Sequence, residues 1–158
     1  MLAPNASGRN GVAGVSQENV EIVKRFIGTL GSDLIALHGN GDVWAGVVEE
    51  AGGLVEPDFE SAVPELPGTR VYVGLDEFHQ AWLDWLAPWE RYEIEVVEIV
   101  DHGARIFALI ANVGRLAGSS QNVETTFANV YTIRDGRIVR WEAYLDPTAA
   151  QAALSSDR

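Results

Sequence analysis

The feature that most constrains this chain is the stretch over residues 122–146, which has the pattern of two β-strands joined by a tight turn. The turn contains Asp135-Gly136, and Asp-Gly between alternating apolar runs is the strongest short-range signal for a β-hairpin. Side chains alternate across a strand, so residue parity separates the two faces of this hairpin. The hairpin therefore predicts an antiparallel sheet with two chemically different faces.

The loop length decides which residues of the hairpin share a face. We expect a three-residue loop, which would place Asn129 opposite Trp141 and Phe127 opposite Ala143. A two-residue loop would shift this pairing by one residue and flip one strand. With three residues, Phe127, Tyr131 and Trp141 gather on one face. That face would line an aromatic cavity with a few polar atoms, and the other would be a surface for packing.

The composition indicates a single globular domain. The chain has 158 residues and is 47% hydrophobic, which suits a folded protein with a sizeable core. Residues 1–15 lack the apolar block of a signal peptide, and we expect them to form a flexible tail of a cytoplasmic protein. The domain itself is predicted over residues 16–158.

Charge and residue content argue against several function classes. The formal net charge is −12 with no basic stripe, which argues against nucleic acid or an anionic membrane as partner. The absence of cysteine excludes disulfides and thiolate chemistry. No apolar run approaches the roughly 20 residues that span a bilayer. His38, His79 and His102 fit no metal-ligand spacing, and no motif for a cofactor is present, so we predict neither a metal nor a cofactor.

The order of the predicted elements gives the fold class. Ser16, Asp42 and Asp76 are positioned to cap three helices, and the third helix carries an apolar stripe with Phe78 and Trp82 at helical spacing. Strands follow over residues 54–63, 92–100 and 105–113, and then come the hairpin and a short helix over residues 147–154. Helices first and strands after predict an α+β domain, with helices on one face of an antiparallel sheet.

Short motifs along residues 16–154 resemble the SnoaL-like group of the nuclear transport factor 2-like superfamily. They are Asn19-Val20-x-x-Val23-x-x-Phe26, Glu56-Pro57-Asp58, Gly74-Leu75-Asp76-Glu77-Phe78, and the run from Phe127 to Asp146. The resemblance implies a cone: a strongly curved antiparallel sheet wrapped around a pocket closed by N-terminal helices. It also implies a dimer through the outer sheet face, and relatives that include polyketide cyclases, limonene epoxide hydrolases, ketosteroid isomerases and proteins without known activity.

The acids that these enzyme branches use are largely missing here. Cyclases and epoxide hydrolases resembling this chain carry an acid two residues beyond the last-strand Trp, where this chain has Ala143. The hydrolases also carry Arg-x-Asp where Ile110-Ala111-Asn112 stands. The isomerases hold a general base near the end of the first strand, and Glu60 is the carboxylate nearest to that position.

Parity and the helix stripe predict that one cavity collects the candidate site residues. Glu60 would be the base, with its pKa raised by the apolar surroundings, and Asn112, Asn129 and Tyr131 would polarise an oxygen. The ligand-binding wall would consist of Phe78, His79, Trp82, Phe127, Trp141 and Ala143. Alternatives remain for each polar residue: Glu60 could face water on an edge strand, and Asn112 could be a satisfied core residue.

Two functions fit these residues. One is a cofactor-independent isomerase, cyclase or hydrolase that uses Glu60 for proton transfer or water addition. The other is a non-catalytic dimeric module that binds a ligand or a protein, which the missing acids favour. In either case the expected ligand is a small apolar molecule with one or two oxygens. A homodimer is predicted through an outer apolar face, made of Phe107, Leu109, Ala111, Val113, Ala128, Val130, Thr132, Ile138 and Tyr144.

Overall fold

The computed structural model describes the backbone of residues 3–68 and 70–156, and the side chains of residues 17–68 and 70–155. Three helices come first along the chain, and most of the strands follow a fourth helix. The elements are α1 Ala3–Leu30, α2 Leu34–His38, α3 Gly41–Ala51, β1 Val55–Ala62, β2 Tyr72–Val73, α4 Gly74–Leu86, β3 Trp89–His102, β4 Arg105–Leu116, β5 Val123–Arg134, β6 Arg137–Tyr144 and α5 Pro147–Ser156.

The strands form one curved, open sheet in the order β2-β1-β6-β5-β4-β3. Strands β3 to β6 run antiparallel as a continuous meander, as predicted. β1 joins this meander parallel to β6, with Ser61 beside Trp141, and β2 adds a short antiparallel edge. The prediction of an α+β fold with a curved sheet is confirmed.

The hairpin between β5 and β6 closes with a two-residue loop, so the predicted three-residue loop is wrong. Asp135 and Gly136 have φ of 53° and 79°, the positive values that a type I′ turn needs at both central positions. A bulge then inserts Val139 into β6, and Tyr131 pairs with Trp141 while Asn129 pairs with Ala143. The bulge restores the parity that the shorter loop would have flipped. Phe127, Tyr131 and Trp141 therefore share a face, although their predicted partners are wrong by two residues.

Three helix starts differ from the prediction. α1 begins at Ala3 and not at Ser16, and Pro4 is compatible with this because proline fits the first turn of a helix. α3 begins two residues earlier than expected because Asn40 is its cap in place of Asp42, accepting hydrogen bonds from the amides of Asp42 at 2.9 Å and Val43 at 3.2 Å. α4 begins at Gly74, so Asp76 lies in its first turn and does not cap it.

The core has two parts, one on each face of the sheet. Helices α1 to α4 pack on the concave face, where Phe26, Phe59 and Ile106 are at most 1% exposed. Helix α5 lies on the opposite face, so the expectation that all helices share one face is wrong. No helix among the described residues is long and apolar enough to cross a membrane.

Helix α5 also corrects the outer face that was predicted to be free. Four residues of the predicted outer face are buried beneath Ala150 and Leu154 of α5, namely Phe107, Ala128, Val130 and Tyr144. Ile138 is fully buried in the main core, because it precedes the bulge in β6 and therefore points inward. The outer apolar face is thus smaller than the sequence suggested.

Candidate functional site

A cavity of about 290 Å³ lies between helix α4 and the concave face of strands β3 to β6. Helix α4 places Trp82 and Trp85 on it because the two side chains are one helical turn apart. Phe127 reaches it from β5 and Trp141 from β6, both on the inward parity of their strands. Tyr72 of β2 completes an aromatic wall. Apolar side chains from Val63 to Leu145 fill most of the remaining wall.

Six of the ten predicted site residues line this cavity. They are Trp82, Asn112, Phe127, Asn129, Trp141 and Ala143. Phe78 and Tyr131 are each 1% exposed and lie in the core beneath the wall, where Phe78 contacts Trp141 edge-on with ring centroids 5.3 Å apart. Glu60 and His79 are not part of the lining. The inward-facing strand residues therefore meet at one cavity, as their parity predicted. The other four predicted residues, Glu60, Phe78, His79 and Tyr131, do not line it.

Glu60 does not enter the cavity, so its predicted placement is wrong. Phe59 and Ser61 take the inward positions of β1 and are each 1% exposed, which turns the Glu60 carboxylate outward by strand alternation. There it is exposed and ion-paired with Arg140 on the neighbouring strand β6. An exposed, paired carboxylate lacks the apolar surroundings on which the base role depended.

Asn112 is a buried amide with its main hydrogen bonds made inside the protein. It is 3% exposed, its Oδ1 accepts a hydrogen bond from the Tyr92 hydroxyl at 3.1 Å, and its Nδ2 donates to the carbonyl of Ile110 at 3.0 Å. Burial raises the pKa of Tyr92 to about 12, which keeps the hydroxyl protonated and able to donate. These hydrogen bonds agree with the alternative in which Asn112 is a satisfied core residue.

Asn129 is the more available amide. It is half-buried on the cavity wall, and its Nδ2 lies 3.4 Å from the Tyr131 hydroxyl, a long contact. Burial raises the pKa of Tyr131 to about 12, so that hydroxyl is also protonated. Among the described residues none donates a hydrogen bond to Asn129 Oδ1. This oxygen and the loosely held amide nitrogen are suited to meet a polar group on a ligand.

Asp84 is a cavity carboxylate that the sequence reasoning missed. It is exposed at the rim of the cavity, and Gln80 Nε2 donates to its Oδ1 at 3.0 Å. The available signal was its position one residue before Trp85, at the polar edge of the α4 stripe. Tyr72 was missed for another reason, because it follows an irregular segment with no periodicity to assign its direction.

A pair of histidines lies behind the cavity wall. The Nδ1 atoms of His38 and His79 are 2.8 Å apart, and the His38 ring stacks on Trp82 with centroids separated by 5.8 Å. His38 is 3% exposed, and burial, with His79 as a second cause, lowers its pKa to about 3. Burial also lowers the pKa of His79, while Asp76 opposes that shift. His79 therefore lies outside the cavity lining, in contact with His38 and with the ring of Trp44, whose centroid is 4.3 Å away.

The described residues contain no group of three or more His, Cys, Asp or Glu side chains that could hold a metal ion. The polar groups of the cavity lining include the amides of Asn112 and Asn129, the Tyr72 hydroxyl and the Asp84 carboxylate at the rim, and Asn112 already has hydrogen-bond partners in the protein. The arrangement can bind an apolar molecule and direct one hydrogen bond at it.

Solved structures with the same fold come from several bacteria. A protein described as a SnoaL-like polyketide cyclase from Jannaschia sp. CCS1 has a TM-score of 0.60 and 19% identity, covering 91% of this chain and 96% of its own. A protein from Catenulispora acidiphila DSM 44928 with a ketosteroid isomerase-like fold, solved in complex with trimethylamine, has a TM-score of 0.55 and 14% identity, covering 78% of this chain and 84% of its own. An LEH-like epoxide hydrolase from M. tuberculosis has a TM-score of 0.51 and 16% identity, covering 89% of this chain and 91% of its own.

Sequence comparison identifies the family directly. None of the curated proteins compared with the chain is significantly similar to it. The sequence model of the SnoaL-like domain family, however, matches residues 39–141, which is well over half of the chain and runs from the end of α2 to Trp141 in β6. The chain belongs to the SnoaL-like domain family, as its motifs suggested.

Proposed function

We propose that this protein binds a small, mostly apolar molecule with one or two oxygens in the cavity beneath α4. The observation that carries this proposal is the character of the wall, which is aromatic and aliphatic apart from two amides and a carboxylate at the rim. Such a cavity binds through its apolar surface and orients its ligand through a few polar groups. Of the two amides, Asn129 is the one with free hydrogen-bonding capacity, so a ligand carbonyl or hydroxyl would meet it.

Binding without turnover is the better supported version of this function. Ala143 occupies the position of the acid in the cyclase-like and hydrolase-like pattern, and Asn112 is engaged with Tyr92. The former candidate base, Glu60, is on the outside of the sheet. Asp84 could accept a proton, but it is exposed at the rim, where water competes with a ligand. Small-molecule binding also agrees with the Catenulispora acidiphila relative, which was solved with trimethylamine.

The proposal can be tested with acetophenone and ethylbenzene, which differ in the carbonyl group. We expect both to raise the melting temperature and quench tryptophan fluorescence, because three of the five tryptophans line the cavity. Ala143→Phe should fill the cavity and abolish both effects while the circular dichroism spectrum stays unchanged. Ala45→Phe, on the exposed face of α3, is the matched control and should bind like the wild type.

The role of Asn129 has its own variant. Asn129→Leu keeps the side-chain size and removes both polar atoms, so acetophenone should bind roughly threefold to tenfold more weakly, the range of one neutral hydrogen bond. Ethylbenzene should bind to this variant as it binds to the wild type. If Ala143→Phe still binds both compounds, the cavity is not the site. If Asn129→Leu weakens neither, the assignment of Asn129 is wrong.

A further inference from the structure

The cavity combines aromatic rings with one negative charge. Five of its wall residues are aromatic, Tyr72, Trp82, Trp85, Phe127 and Trp141, and they come from four different elements. Asp84 is the charged residue of the lining. Three of these rings are indoles, which have the most electron-rich faces of any side chain and attract cations most strongly. Most of the wall surface is therefore apolar, and the faces of its aromatic rings are electron-rich.

The rings are arranged around the cavity and not stacked into one block. Trp82 and Trp141 have centroids 6.3 Å apart with planes inclined by 45°, and Trp85 meets Phe127 at 6.2 Å and 71°. Because neither pair is stacked face to face, ring faces remain available to a third group between them. An alkylammonium group makes good use of such faces, since its charge is spread over methyl groups that also favour an apolar wall.

The charges near the rim favour a cation over an anion. Asp84 places a carboxylate at the rim, and the chain as a whole carries a formal net charge of −12, which raises the local concentration of cations. Arg70 lies close by, with its guanidinium carbon 4.4 Å from the centre of the Tyr72 ring, but it is ion-paired with Glu77 at 3.3 Å. This contact shows that the outer ring of the wall already accepts a cation.

From these observations we infer that the cavity selects ligands that carry an alkylammonium group on an apolar body. The aromatic rings would surround the methyl groups, and Asp84 would face the charge from the rim. This inference rests on the proposed function, because it requires that small molecules enter the cavity. It adds to that function a preference for a positively charged ligand over a neutral one of the same shape, which an apolar wall alone would not produce.

The test uses benzyltrimethylammonium and neopentylbenzene, which have the same shape and differ in the charged nitrogen. Titration calorimetry at low salt should give an affinity for the ammonium compound about tenfold higher, the scale of one desolvated cation–π contact. Asp84→Asn should weaken ammonium binding by about fivefold and leave neopentylbenzene unchanged. Asp58→Asn changes the net charge equally on an exposed part of β1 outside the cavity, and it should alter neither affinity.

The outcomes separate the two proposals. If neopentylbenzene and acetophenone bind, Ala143→Phe abolishes their binding, and the ammonium compound binds no better, the inference is overturned while the proposed function stands. An ammonium affinity that Asp84→Asn leaves unchanged would also overturn it. If none of the three compounds binds, the proposed function itself fails. An ammonium preference that survives in part in Asp84→Asn measures the contribution of the rings.

Discussion

At the scale of single residues, the buried histidine His38 makes the stability of the fold depend on pH. Its ring is packed between His79 and Trp82, and its Nε2 has no hydrogen-bond partner among the described residues. The pKa of His38 is lowered from 6.5 to about 3 in the folded chain. The unfolded chain therefore binds this proton more tightly, and the free energy of unfolding must fall as the pH drops from about 6.5 towards 3.

We predict that His38→Phe makes the protein less sensitive to acid. Between pH 6.5 and 4.5 the wild type should lose on the order of 2 kcal/mol of stability through His38, since each pH unit corresponds to about 1.4 kcal/mol in that window. Urea unfolding at the two pH values gives the loss directly. His102→Gln is the control, because His102 is exposed and its removal should leave the loss as it is. Equal losses in wild type and His38→Phe would contradict the prediction.

Glu60 and the histidine pair show why some residues could not be placed from the sequence. The direction of Glu60 depends on which residue of β1 faces inward beside Trp141, and that is fixed by pairing with a strand 80 positions away. His38 and His79 meet across 41 positions, between two helices whose packing no local pattern describes. In contrast, Phe127, Asn129 and Trp141 belong to one hairpin, so parity could predict their common face, and the prediction held because the bulge at Val139 compensates for the shorter loop.

At the scale of the elements, helix α5 has more influence on the fold than its length suggests. Its sequence predicted a short alanine-rich helix, and the structure extends it by two residues to Ser156. What the sequence could not give is the face on which α5 packs, because an alanine-rich helix has only a weak apolar stripe. Its contact with Phe107 and Val130 supplies the second core of the protein.

Removal of one α5 side chain should show this contribution. Leu154 is 8% exposed in the second core, and Leu154→Ala should lower the free energy of unfolding by about 2–3 kcal/mol, as expected for a buried leucine near a surface. Gln151→Ala, on the exposed side of the same helix, should change it by less than about 0.5 kcal/mol. Chemical denaturation of both variants checks this. Similar values for the two would mean that α5 does not seal this face.

At the scale of the whole molecule, the association state is the main open prediction. Helix α5 covers part of the outer face, and the apolar part that remains on β4 consists of the half-buried side chains Leu109, Ala111 and Val113. The fold class and the family followed from the sequence because they depend on the order of elements and on motifs along the chain. Association depends on the area left uncovered, which only the packed structure defines.

We still predict a homodimer, now through the β4 strip. Sedimentation of the wild type at micromolar concentration should give the mass of two chains. Ala111→Arg should give the mass of one, because a charge at the centre of the strip would be buried without a partner on association. Ala45→Arg, on the exposed face of α3, should remain dimeric. A wild-type protein that sediments as one chain would show that the prediction is wrong.

The outermost long strand, β3, has a consequence for solubility. Among the described residues, only those of the first half of β3 pair with another segment on this edge, through a hydrogen bond from the Ile94 amide to the Ser32 carbonyl at 2.9 Å and the bridge between Asp33 and Glu93. Beyond that point Val96 and Val97 are 37% and 58% exposed at the sheet edge, a feature that favours pairing with another chain, and the bulge at Val97 works against such pairing. The exposed glutamates on either side, Glu95 and Glu98, oppose such pairing by charge repulsion between chains. Replacing them with neutral residues would therefore lower the solubility of the protein and promote its aggregation.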